Sequence, residues 1–202
     1  AVITDHSQYL KVANGLTPER LFEQQKEITA SNTDDFLLLS GTEMDILPDG
    51  TLDFDDEVLA NLDFVIASIH SSFNQKEEEI MDRLHEAMKN PHVDMIAHPT
   101  GRVIGKRDGY AIDIPQFLQW AKQYNKIVEV NASPYRLDLS VEHLKLAKEL
   151  GVWIAINTDA HAIDQLDYME LGVLHTQKAY IEREQIVNTW TKEQLLERIV
   201  HK

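Results

Sequence analysis

Four apolar runs in this chain each lead into a side chain able to bind a metal ion. Residues 1–3 run into Thr4-Asp5-His6, 64–69 into His70, 93–97 into His98, and 152–156 into Asn157-Thr158-Asp159-Ala160-His161. A fifth run, 36–39, leads through Ser40-Gly41-Thr42 to Glu43. A lone histidine after an apolar run is ordinarily a hydrogen-bonded structural residue. Here His6, His70, His98 and His161, with Glu43 and Asp159, recur at equivalent positions on separate runs. If the runs are parallel strands of a barrel, their carboxyl ends converge on one face, and ligands remote in sequence meet around shared cations at ~2.0–2.2 Å. The other five histidines serve as a control. His85, His143 and His201 fall in helical segments, His92 in a turn and His175 near a last strand, and all are read as structural or surface residues.

The chain has no cysteine, so any metal must be held by nitrogen and oxygen. Imidazole and carboxylate suit zinc, manganese or iron, and ligand identity alone does not choose among them. A carboxylate such as Glu43 bridges two cations, which a histidine does not. Two cations ~3.5–4 Å apart supply a hydroxide and polarise a phosphoryl group, so phosphoester hydrolysis is the natural reaction of such a site. The loop after His98 adds Arg102, Lys106 and Arg107, and Arg136 follows the run 127–131. Arg102 and Arg136 are the expected phosphate contacts, whereas Lys106 and Arg107 serve equally well as loop solubilisers. Glycines 101, 105 and 109 lack a P-loop pattern.

The elements that must position these residues alternate. Thr17-Pro18-Glu19 reads as an N-cap, a first-turn proline and a first-turn acid of a helix to about residue 31. A strand is expected at 36–42, a short helix at 53–62, a strand at 64–69 and a helix at 75–89 ended by Asn90-Pro91. The strand 93–97 follows, then a long loop over 99–113, a helix over 115–124 and a strand over 127–131. Ser140 caps a helix that Gly151 ends, and the strand 152–156 comes next. A last short strand is expected near 170–174, and Thr191-Lys192-Glu193-Gln194 opens a final helix. Strands rich in β-branched residues alternating with helices describe an α/β fold with a parallel sheet or barrel.

The 202 residues suit one domain, 1–202, with 43% apolar composition. No apolar run approaches the ~20 residues of a membrane span, so no membrane partner and a cytoplasmic location are expected. With 19 basic against 34 acidic residues, a net charge of −15 argues against gripping nucleic acid by bulk electrostatics. The acidic patches at 53–57 and 77–79 read as solvated helix starts.

In order, the segments Ile3-Thr4-Asp5-His6, Gly41-Thr42-Glu43, Ser68-Ile69-His70-Ser71, Ile96-Ala97-His98-Pro99 and Asn157-Thr158-Asp159-Ala160-His161 resemble the PHP (polymerase and histidinol phosphatase) family. Val12-Ala13-Asn14-Gly15-Leu16, Asp45-Ile46-Leu47-Pro48-Asp49-Gly50, His98-Pro99-Thr100-Gly101-Arg102 and Pro134-Tyr135-Arg136-Leu137-Asp138 resemble, more narrowly, the C-terminal PHP domain of bacterial family X DNA polymerases. The resemblance implies a distorted (β/α)7 barrel with up to three divalent ions, usually manganese in this branch, and a 3′→5′ exonuclease acting on DNA 3′ ends in repair. It implies that Glu43 bridges two metals, His70 and His98 complete one centre, Asp159 binds the other, and His6 and His161 serve the third. Glu43, Asp159 and His161 are the expected catalytic residues.

Family members open with a His-x-His motif on a first strand, and nothing in this chain matches it. The chain is therefore expected to be an N-terminally truncated fragment lacking that strand, with the polymerase core upstream, one metal bound well and hydrolysis impaired. A small-molecule phosphatase of the histidinol-phosphate type and a non-catalytic structural module are the competing expectations.

Overall fold

The computed structural model describes residues 1–200. Six strands form one parallel sheet in sequence order: β1 (Val2–Ile3), β2 (Leu39–Asp45), β3 (Phe64–Ser68), β4 (Met95–Ile96), β5 (Ile127–Asn131) and β6 (Trp153–Asn157). Each connection carries a helix, because parallel neighbours need a crossover. These are α1 (Pro18–Ala30), α2 (Asp56–Leu59), α3 (Glu77–Lys89), α4 (Ile114–Gln123) and α5 (Val141–Leu150), with α6 (Tyr168–Lys178) and α7 (Lys192–Val200) after the last strand. The expected α/β architecture of parallel strands and crossover helices is present, as a curled half-barrel with six strands among the described residues.

Alternation along the strands builds two apolar layers. Val65, Ala67, Ile96, Val128, Val130 and Ile154 pack outward with Leu21, Ile80, Leu84, Phe117 and Leu144 of the helices. Leu39, Phe64, Ile66, Met95, Ile127 and Ala155 face inward, where Ile199 of α7 joins them with Leu195 and Leu196. This inward series changes character along each strand. After Phe64 and Ile66 come Ser68 and His70, after Leu39 come Glu43 and Asp45, and after Ile127 come Glu129 and Asn131. The amino end of the barrel is thus a packed core and the carboxyl end a polar site.

Local signals act as expected at several ends. Thr17 Oγ1 accepts the Arg20 N–H at 3.4 Å, and Ser140 Oγ accepts that of His143 at 3.3 Å. Gly151 ends α5 in the left-handed conformation, φ 66°. Asp55 Oδ1 caps α2, and Glu79 Oε2 accepts the Lys76 N–H at the start of α3, so both acidic patches do serve helix starts.

Three expectations are corrected. The segment 170–174 is helical, inside α6, not a strand. Its run Leu171-Gly172-Val173-Leu174 is apolar on the outside, while Gly172 and Thr176, four apart, face the core. A Cβ at Gly172 would lie 2.5 Å from Ile156 Cγ2 and 2.7 Å from Ala132 Cβ, so the glycine permits the helix to press on the sheet. The strand placed at 36–42 lies at Leu39–Asp45 because Gly41–Asp45 pair with Phe64–Ser68; Glu43 is therefore inside the strand. The short helix of 53–62 shrinks to the four residues of α2. His201 lies outside the described residues. No helix among those described is long and apolar enough to cross a membrane.

Candidate metal centre

Glu43 stands at the middle of the polar end, 8% exposed, with three imidazoles around it. His98 Nε2 lies 2.8 Å and His70 Nε2 3.3 Å from its Oε1, and His6 Nδ1 lies 3.4 Å from its Oε2. Strand geometry brings them together. β2 delivers Glu43, and the ends of β3 and β4 deliver His70 and His98. His6 sits just beyond β1, bridged in parallel to Glu43 with the Glu43 N–H donating to the Asp5 carbonyl. Ring centroids are 5.0 Å apart for His6 and His70, 5.1 Å for His70 and His98, and 5.9 Å for His6 and His161.

Asp159 lies just past the end of β6, across β5 from His98. Its Oδ2 accepts Asn131 Nδ2 at 3.0 Å and lies 3.5 Å from Arg136 Nε. The more exposed His161 turns back on it, with Nδ1 2.9 Å from the Asp159 carbonyl and 3.8 Å from Oδ1. All six expected ligands therefore gather at one end of the sheet. The compact subset, with one ligand atom from each within 4.8 Å of the others, is His6, Glu43 and His70, whereas the resemblance grouped Glu43 with His70 and His98.

The donor set fits a divalent cation. Imidazole nitrogens and a carboxylate are the right ligand chemistry, and His6 Nδ1 and His98 Nδ1 are buried without a hydrogen-bond partner. Burial alone would lower the His70 pKa, but its bonds to Asp45 and Glu43 outweigh that and raise it to about 9. Burial works against ionised Glu43, yet the bonds from His70 and His98 hold its carboxyl well below the usual range. For His6 burial prevails, and its pKa is lowered despite Glu43. The bonds to Asp45 and Glu43 thus favour a proton on His70, with which a cation at this site would compete.

The basic residues divide by what they touch. Arg136 reaches the ligand cluster, and its Nη1 is buried without a partner. Arg102 donates to the carbonyls of Arg136 and Leu137, so its guanidinium shapes the loop that carries Arg136. Arg107 donates to the Gly101 carbonyl and lies 3.9 Å over the Phe73 ring, and Lys106 sits 6.0 Å over Tyr135. None of the four described control histidines joins the ligand group. His85 stacks on Trp120 at 4.1 Å, and His175, in α6, meets the Leu139 carbonyl at 2.8 Å.

Sequence reasoning left Asp45, Glu129, Asn131 and Asn157 without roles. Asp45, fully buried, holds His70 Nδ1 at 3.2 Å and so orients a ligand from behind. The signal was present as polar residues at every second position of apolar strands. A cleft of about 710 Å³ beside Trp153, Trp190, Arg183 and Arg198 opens at the other end, by the starts of β5 and β6, remote from these ligands.

The fold and its strand-end histidines and carboxylates define a partial α/β barrel with a nitrogen–oxygen group suited to a divalent metal at its carboxyl end. No protein-family model matches the chain. It is 60% identical over 188 residues to the DNA polymerase/3′-5′ exonuclease PolX of Bacillus subtilis strain 168, covering 92% of this chain and 33% of that protein. A probable phosphatase of Thermoanaerobacter sp. strain X514 is 34% identical over 162 residues, covering 75% of this chain and 64% of the relative. In fold it is similar to histidinol phosphate phosphatase from Lactococcus lactis, solved with zinc, L-histidinol and phosphate. That likeness has a TM-score of 0.56 and 18% identity over 83% of this chain and 76% of the other. The resemblance to PHP proteins, and more narrowly to the PHP region of bacterial family X DNA polymerases, is borne out by these identities and by the fold. It spans a third of the PolX length and just under two thirds of the phosphatase.

Proposed function

We propose that this chain is a divalent-metal-dependent phosphoesterase, the 3′→5′ exonuclease region of a family X DNA polymerase. The observation that carries the reading is the convergence of His6, His70 and His98 on Glu43, in a chain 60% identical to PolX over 188 residues. His6, Glu43, His70 and His98 would hold one or two cations, with Asp159 and His161 completing a further position. When bound, such ions polarise a phosphoryl oxygen and acidify an attacking water.

The protein's own residues then do the rest. Glu43 balances the charge at the centre, Asp45 fixes the ring of His70, and Arg136 offers its unpaired N–H to a phosphate oxygen. With no ion in that further position, Asp159 and His161, at the more open side, would instead hold or pass a proton during departure of the leaving group. A polymerase core in the same polypeptide and a DNA 3′ end are the partners this reading carries, with manganese, zinc or iron as the metal.

The test compares hydrolysis of single-stranded DNA with that of histidinol phosphate in added Mn²⁺. Faster release of nucleotides from DNA supports the exonuclease. The phosphatase reading, favoured by the 34% identical relative, requires the reverse. Absence of cleavage on both, even in a longer chain carrying the His-x-His segment, would leave a structural module. His70→Ala should abolish cleavage, and retention of even a tenth of the parent rate would contradict the assigned centre.

A further inference from the structure

Glu129 is a carboxylate 3% exposed in the middle of β5, and the metal centre gives it no part. Burial raises its carboxyl to about 7, so an ionisable group persists where an apolar one would pack without that cost. Its bonds explain the choice. Oε2 accepts the backbone N–H of His98 at 2.7 Å and Asn131 Nδ2 at 3.3 Å, and Oε1 accepts Asn157 Nδ2 at 3.0 Å. Asn131 Nδ2 also donates to Asp159 Oδ2 at 3.0 Å. One side chain thus links the ends of β4, β5 and β6.

Two of the residues linked in this way have unusual backbones. His98 has φ 29° and Asp159 φ 51°, in the left-handed region that residues with a Cβ seldom adopt. Such conformations persist where surrounding bonds over-determine them. The His98 turn is what directs Nε2 to Glu43, since Ala97 before it faces the inner apolar layer.

We propose that Glu129 is a positioning residue which, with Asn131 and Asn157, fixes the turn that aims His98 at Glu43 and orients Asp159, and so sets the geometry of the cation site. The role depends on the acceptor reaching the His98 N–H and not on the negative charge. The inference rests on the reading of the site as a cation centre, and the experiment separates the two.

Glu129→Asp keeps the charge but withdraws the acceptor by about 1.5 Å. Glu129→Gln keeps an acceptor in place and removes the charge, and the Asn157 amide can turn its oxygen toward the new NH₂ at the cost only of its weak contact with Met95 Sδ at 3.6 Å. Ile127→Val, one methylene smaller in the same strand, controls for packing. In the metal-free proteins, the His98 amide should lose at least tenfold of its hydrogen-exchange protection in Glu129→Asp and keep it in Glu129→Gln. Zn²⁺ affinity by calorimetry should fall about ten- to a hundredfold in Glu129→Asp and stay within threefold in Glu129→Gln and Ile127→Val. Unchanged His98 protection in Glu129→Asp, or a larger loss in Glu129→Gln than in Glu129→Asp, overturns the proposal. A parent protein that binds no Zn²⁺ overturns the cation reading instead, while the amide measurement still decides the role of Glu129.

Discussion

Arg136 and His70 show how single side chains of this site divide the electrostatic work. Arg136 Nε faces Asp159 Oδ2, while Nη1 is buried with no acceptor, and a phosphate oxygen would supply one. Arg136→Ala is expected to raise KM for single-stranded DNA about tenfold, the loss of one charged hydrogen bond, and to change kcat by less than threefold. An unchanged KM would remove Arg136 from substrate binding. His70 carries a different load. Its folded pKa of about 9 exceeds the unfolded value of ~6.5, so in the metal-free protein its ion pairs stabilise fully below ~6.5 and are lost as pH rises through about 9. Cation uptake runs the opposite way and tightens with pH up to about 9. Calorimetry in buffers of differing ionisation enthalpy should register about one proton released per cation near neutral pH, declining above 9. Zero release near neutral pH would show that His70 is already unprotonated.

At the scale of elements, the barrel wall is only as good as its edges. β6 has β5 on one side; on the other, Ile154 bridges Ile186, and the Asn188 side chain takes the place of a neighbouring strand. Its Oδ1 accepts the Ile156 N–H at 2.7 Å and its Nδ2 donates to the Ile156 carbonyl at 2.9 Å. Asn188→Leu leaves both backbone groups without partners, at a cost of about 1–3 kcal/mol and a lowering of the thermal midpoint by several degrees. A midpoint equal to the parent's would mean that water replaces Asn188 there. The same edge adjoins Asn157, so the variant should also weaken cation binding modestly, read in the same calorimetric titration.

Over the whole molecule the charge balance of −15 sets how a polyanion is approached. Most surface charge repels DNA, and the basic groups near the ligands are largely engaged. Arg102 and Arg107 serve loop carbonyls, leaving Arg136 as the guanidinium in contact with the cluster. Binding of single-stranded DNA is therefore expected to involve one or two phosphates, with log affinity falling against log salt at a slope of about −1. A slope of −4 or steeper, measured by fluorescence anisotropy, would show a long electrostatic track that the described residues do not display.

The alternation of apolar runs and helical segments, the caps at Thr17, Ser140 and Gly151, and the ligand at the end of each run are local properties, so they were legible in the chain itself. They were sufficient for a parallel sheet or barrel covered by helices and for which six side chains gather at one end. Tertiary structure decided the rest. Leu171, Val173 and Leu174 read as a strand until the close approach of Gly172 to Ile156 and Ala132 showed a helix with its apolar residues outward. Glu43 moved into β2 because pairing with β3 decides where a strand lies, and strand propensity does not. Arg102 and Arg136 have the same chemistry in sequence, and only the fold places one against backbone carbonyls and the other against Asp159. Glu129, Asn131 and Asn157 were visible as polar residues in apolar strands. Their function lies in bonds to partners up to 31 residues away, which periodicity within one strand does not encode.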